Sequence, residues 1–153
     1  MITAWRIVGA RYKNDSFSGE GARGRGGRWN SKGTTIVYTA GSIALASIEM
    51  LVNLPGPKLL EEFYRIPVHI PPDLITDFPL NKLPGDWTST PVSPTTRVIG
   101  DRWIKNRKSP VLKFPSVVVP EEYNYLLNPT HPDFEKISIG TPVKYRFDSR
   151  LAR

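Results

Sequence analysis

Fifteen prolines, two segments able to form a helix of any length, and a series of short β-branched or aromatic runs predict an α+β domain. Proline stands at roughly twice its usual share of about 5%, which disfavours long helices and favours short strands joined by ordered loops. The first strand is expected at residues 5–8 (WRIV), followed by a polar stretch to residue 18. Residues 19–33, GEGARGRGGRWNSKG, read as a loop, and TTIVY at 34–38 as the strand that leaves it. Residues 42–54 (SIALASIEMLVNL) carry the clearest helix, with Ser42 as its N-cap and Pro55-Gly56 as its stop.

A strand over residues 59–70 closes at Pro71-Pro72. Residues 71–95 are dense in proline and aperiodic, which predicts a long surface connection with one short strand. Residues 96–106 (TRVIGDRWIKN) predict a second helix, with Val98, Ile99, Trp103 and Ile104 on its apolar side. A strand follows at 111–119, bent at Pro115, and residues 124–129 lead into a Pro/His turn. Residues 136–139 and 143–147 supply a closing pair of strands. No repeat or linker divides the chain, so residues 1–153 are expected to form one domain.

The composition, 39% hydrophobic and 10% aromatic over 153 residues, suits a folded domain with its own core. No apolar stretch approaches the roughly 20 residues that a membrane span needs. The opening MITAWRIVGARYK lacks the hydrophobic run of a signal peptide, so a cytoplasmic protein without a membrane partner is expected. The absence of cysteine excludes disulfides, thiolate metal sites and a cysteine nucleophile. A net charge of +7 and a pI near 9.8 favour an anionic partner: nucleic acid, a phosphorylated small molecule or an acidic protein.

The loop at 19–33 holds six of the 12 glycines together with Arg23, Arg25, Arg28 and Lys32. Glycine permits close approach of a ligand to backbone amides, and guanidinium groups fit phosphate or carboxylate oxygens, so the loop resembles an anion cradle. A flexible basic segment is the alternative. It is not a P-loop. GEGARG matches G-x-G-x-x-G by letter, but KNDSFS before it is no strand and no helix is expected after it, so the dinucleotide fingerprint fails its context.

Glu49 is the only charged residue between Thr39 and Leu54. It is either a surface glutamate at the edge of an apolar face or a carboxylate projecting into a cleft. Tyr38 and Trp29 both carry rings suited to stacking on a planar base, and both equally suit a core. Ser116 is a hydroxyl within an apolar run (FPSVVVP), and no nucleophile elbow surrounds it. Asn124 and Asn128 are weaker candidates, better suited to a turn. His69 and His131 lack a ligand pattern, and no metal site is expected.

Taken in order, these residues resemble the RES domain, named for a characteristic arginine, glutamate and serine and typically found as the toxin of a bacterial toxin–antitoxin pair. The resemblance runs from WRIVGARY through SGEGARGRGGRWNSKG and VYTAGSIALASIEMLV to PSVVVPEEYNYLLNPTHPDF, and residues 79–95 are the least family-like. It places the family's arginine at Arg28, its active-site tyrosine at Tyr38, its glutamate at Glu49 and its serine at Ser116. It implies a fold similar to ADP-ribosyltransferases, two small sheets packed together with NAD in the cleft between them.

Gly27, Arg28, Trp29, Asn30 and Tyr38 are then the expected NAD-binding residues, and Arg28, Tyr38, Glu49 and Ser116 the catalytic ones. NAD is implied as substrate rather than resident cofactor, split at the nicotinamide–ribose bond by water or by inorganic phosphate. In these roles Arg28 fixes the pyrophosphate or a ribose, Tyr38 covers the nicotinamide, Glu49 stabilises the ribosyl cation and Ser116 donates to the substrate. The implied partner is an antitoxin with an Xre-like helix-turn-helix, through which alone nucleic acid would be met. The alternatives are a protein ADP-ribosyltransferase using NAD and, from a different class, a basic nucleic-acid-binding module.

Overall fold

The computed structural model describes residues 1–54 and 56–152 of the chain. Its strands are β1 (Ile2–Gly9), β2 (Val37–Ala40), β3 (Phe63–Ile70), β4 (Ile75–Asp77), β5 (Val111–Pro115), β6 (Tyr123–Leu127), β7 (Ser138–Ile139) and β8 (Val143–Tyr145). Its helices are α1 (Glu20–Arg25), α2 (Ile43–Asn53) and α3 (Pro94–Asn106). The strands form one sheet in the order β4-β5-β6-β2-β1-β3-β7, with β8 also on β3. All neighbours are antiparallel except β4 and β5.

The sheet has two halves. β4-β5-β6-β2 and β1-β3-β7-β8 meet through a single registered pair, Trp5↔Ala40. Ala4, Val68 and Ile70 of one half share a buried core with Val37, Val111 and Leu127 of the other, so the sheet curls and its halves pack face to face. The two packed sheets expected from the sequence are these halves, and the molecule is α+β.

The opposite face carries the helices. Trp5 and Ala40 are partners across β1 and β2, and Ala40 packs with Leu45 and Ala46 of α2. Leu112, Phe114 and Leu126 on that same face pack with Trp29 and with Trp103 of α3. Tyr38 and Ala40 alternate with Val37 and Thr39, while Leu126 and Asn124 lie directly opposite them on β6. The side chains of Tyr38 and Asn124 therefore share the face flanked by α2 and by α3, at diagonal positions about 7–8 Å apart.

Several boundaries depart from expectation for identifiable reasons. The segment at 19–33 is not all loop. Glycines at positive φ, Gly19 and Gly26, bracket the six-residue α1, which Gly26 ends by donating to the Ala22 carbonyl. The strand expected at 34–38 starts later, at Val37, because the Thr34 carbonyl is taken by the Asn30 side chain. The strand expected at 59–70 begins at Phe63, and a 3-10 turn at Gly56–Leu60 buries Leu59 instead. β1 is longer than expected because all eight of its residues register against β3. The closing strands do not pair with each other; each adds to β3.

Ser42 caps α2 as expected, its hydroxyl accepting from the Leu45 amide at 3.0 Å. The stop assigned to Pro55 lies outside the described residues. α3 starts two residues earlier than expected, at Pro94, with Ser93 capping it. Among the described residues no helix is long and apolar enough to cross a membrane.

Candidate active site

Glu49 projects from α2 toward the exit of β5 and the start of β6. Its Oε2 accepts from Ser116 Oγ at 3.0 Å and its Oε1 from Asn124 Nδ2 at 2.8 Å. The sequence folds this way locally because β5 ends at Pro115 and turns, the Ser116 amide closing the hairpin on the Glu122 carbonyl. Phe114↔Asn124 is a registered pair, which brings Asn124 to the helix-bearing face below Glu49. Asn124 also donates to the Thr39 carbonyl, so its amide is anchored to β2 while holding the carboxylate.

Ser116 is fully buried. Its oxygen accepts from the Val118 and Val119 amides at 3.1 and 3.2 Å, which leaves its one proton for Glu49. It therefore aims the carboxylate and has no donor left for a ligand. Burial pushes the Glu49 carboxyl above its usual range; the Asn124 and Ser116 hydrogen bonds oppose this, and repulsion from Glu122 adds to it. The result is a half-buried carboxylate held at both oxygens, with no cationic side chain within ion-pair distance among the described residues.

The second cluster is the turn at Gly27–Asn30, closed by the Gly27 amide donating to the Asn30 carbonyl. Asn30 is fully buried and organises the turn. Its Nδ2 donates to the Ala22 and Thr34 carbonyls, and its Oδ1 accepts from the Tyr38 hydroxyl at 2.6 Å. The Tyr38 oxygen in turn accepts from the Trp29 amide at 3.0 Å. A Cβ on Gly27 would lie 2.7 Å from that hydroxyl, so the close approach requires glycine. Burial drives the Tyr38 phenol well above its ordinary range, so it stays neutral, and its ring is half-buried.

Arg28 donates through Nη1 to the carbonyl oxygens of Trp87 and Ser89 at 3.1 and 2.9 Å. These acceptors lie in the stretch least like the family in sequence. Desolvation lowers the Arg28 pKa, and no carboxylate pairs with it among the described residues. Trp29, expected to contact NAD, points the other way. Its ring is 3% exposed and stacks on Phe114 with centroids 3.8 Å apart, forming the floor of the turn.

The structure thus joins Glu49 to Ser116, and Tyr38 to Gly27, Trp29 and Asn30, with Arg28 beside them; the Tyr38 and Asn124 sheet positions connect the groups. Asn124, expected in a turn, is a strand residue because β6 begins at Tyr123. Asn128 follows the strand and serves the turn after it, its Oδ1 accepting from Thr130. Sequence reasoning missed Arg6. Where β1 and β2 diverge, it donates to the Tyr38 carbonyl at 3.0 Å and the Ser16 carbonyl at 2.7 Å. Burial and neighbouring Arg25 bring its pKa down to about 10, a charged group without a carboxylate partner among the described residues. The available signal was an arginine inside the otherwise apolar run WRIV.

His69 pairs with Thr3 and His131 caps a 3-10 turn, and among the described residues no cluster of His, Asp or Glu could hold a metal ion. The site is a desolvated carboxylate at one end and, at the other, the Arg28 guanidinium, which forms no ion pair among the described residues. That arrangement suits an anionic substrate on which positive charge develops.

Comparison with known proteins identifies the family of the chain. The chain is 36% identical to a protein named Prs ADP-ribosylating toxin from Sphingobium sp. (strain YBL2), over 97% of this chain and 96% of that one. It is 38% identical to Toxin Res of Yersinia enterocolitica, over 96% of this chain and 97% of that one. Its fold is similar to a chain in the crystal structure of the M. tuberculosis MbcT–MbcA toxin–antitoxin complex, with a TM-score of 0.72 at 16% identity, covering 94% of this chain and 84% of that one. The family model described as RES domain matches residues 3–148, and the chain belongs to the RES domain family.

Proposed function

We propose that the protein is the toxin of a toxin–antitoxin pair and that it cleaves NAD between nicotinamide and ribose, passing the ADP-ribosyl group to water or inorganic phosphate. The observation that carries this reading is Glu49, a desolvated carboxylate fixed at both oxygens by Ser116 and Asn124. Breaking the nicotinamide–ribose bond builds positive charge on the ribose. Nicotinamide already bears a positive ring nitrogen and leaves neutral, so one carboxylate suffices where an ordinary glycosidase uses two. Glu49 stabilises the ribosyl cation or holds a ribose hydroxyl, and Arg28 binds the diphosphate. The half-buried ring of Tyr38 provides the wall against which the nicotinamide is covered.

Transfer of ADP-ribose to a protein is the second reading, favoured by the 36% identity to a protein named as an ADP-ribosylating toxin. The likeness to a chain of a toxin–antitoxin complex supports an antitoxin partner, for which an Xre-like helix-turn-helix protein is the candidate. A nucleic-acid module would have no use for a carboxylate so carefully held. Incubation with NAD labelled on its adenylate half, with and without phosphate, separates the readings. Free ADP-ribose or its phosphate is the expected product, label on a protein selects the second reading, and unchanged NAD overturns both.

A further inference from the structure

The inner side of α3 is devoted to the backbone of the turn that carries Arg28. Thr96 Oγ1 donates to the Arg28 carbonyl at 2.6 Å, and Asp101 Oδ1 accepts from the Ser31 amide at 2.9 Å. Gly100 lies so close to the Trp29 carbonyl that any Cβ there would collide with it. Arg97 completes the set, its Nε donating to the Gly27 carbonyl at 3.0 Å. That carbonyl belongs to the peptide bond leading into Arg28, so the two arginines are fastened to one peptide unit.

Both are only partly engaged. Arg28 spends Nη1 on two carbonyl oxygens, and Arg97 spends Nε on one. Among the described residues no acceptor takes the two terminal amino groups of Arg97. Arg97 also forms no ion pair with Asp101, one helical turn away, although such a pair is the ordinary fate of an exposed arginine. Both side chains are half-buried and flank the same turn, Arg97 through its bond to the Gly27 carbonyl and Arg28 from the next residue. Two guanidinium groups flanking one turn, each with free donors, match a diphosphate, which offers a negative charge to each fork.

We infer that Arg97 is a second substrate-binding arm, gripping with Arg28 the diphosphate of a dinucleotide and setting a preference for dinucleotides over mononucleotides. This rests on NAD being the substrate. A helix clamp alone would need only the single Arg97 bond to Gly27, which a neutral donor could make.

The test compares wild type with Arg97→Gln and Arg97→Lys. Nicotinamide release is measured from NAD and from nicotinamide mononucleotide, and thermal protection by ADP and by AMP is read on the same samples. Arg97→Gln is expected to lower kcat/KM for NAD about 10- to 100-fold, mostly through KM, while changing that for the mononucleotide less than about threefold. It should also abolish the extra protection that ADP gives over AMP, with Arg97→Lys falling between. Equal losses on both substrates, an unchanged NAD preference, or wild-type protein protected equally by ADP and AMP would overturn the inference. Wild-type protein that prefers ADP but releases no nicotinamide would leave Arg97 standing and reject NAD cleavage. If Arg97→Gln does not fold, Arg97→Lys decides: a retained preference for ADP equal to wild type overturns the inference, and a weakened one supports it.

Discussion

The two ends of the cleft are built by opposite means. At the Glu49 end a single negative charge is held by side chains from three separated parts of the chain, α2, the turn after β5, and β6. At the Arg28 end the positive charges are held by backbone carbonyls, those of Trp87, Ser89 and Gly27, and meet no carboxylate among the described residues. Side-chain hydrogen bonds set the protonation and aim of a group, whereas carbonyl anchors fix a guanidinium without cancelling its charge. On the proposed function, one end acts on the reacting centre and the other binds the anion. The difference should appear in kinetics as a division between turnover and binding.

The largest expected effect is that of Glu49→Gln. It keeps the shape and removes the charge, so kcat should fall about 10²–10³-fold, with KM for NAD within a few-fold of wild type. The raised pKa of Glu49 favours its protonated form in the folded protein. Its contribution to stability is present below the unfolded-state pKa and is lost as pH rises through the folded-state pKa. Glu49→Gln is therefore expected to melt near wild type at neutral pH, which separates lost charge from lost fold. Arg28→Ala should show the contrasting pattern, raising KM for NAD about 10- to 100-fold with a smaller loss in kcat.

Smaller effects test how the carboxylate is held. If turnover needs Glu49 ionised, the acid limb of the rate profile lies above the ordinary carboxylate value of 4.5. Asn124 and Ser116 donate to the charged form, so Asn124→Ala or Ser116→Ala should raise the pKa and move that limb to higher pH, with about tenfold slower turnover at neutral pH. Glu122 repels the charged form. Glu122→Gln should move the limb the other way, with neutral-pH rates within about twofold of wild type.

Sequence made the two ends unequally visible. Glu49 stood out because no other charge lies between Thr39 and Leu54, and Ser42 announced the start of its helix through a local capping rule. The proline-rich composition and short apolar runs were enough for the α+β class. That Ser116 aims at Glu49 depends on a hairpin and a register, Phe114↔Asn124, that local spacing does not encode. The burial of Trp29 requires its partner Phe114, which is remote in sequence. Arg6 and Arg97 were hidden for the same reason, since each is defined by carbonyl groups on a distant segment. Residues whose meaning is a local pattern were legible, and residues whose meaning is a tertiary contact were not.

The division of labour is tested most directly by single-turnover nicotinamide release from saturating NAD by Glu49→Gln, with NAD binding measured on the same preparation. The account predicts binding close to wild type with release slowed about 10²-fold or more. Release at the wild-type rate, or slow release explained wholly by lost binding, would contradict it.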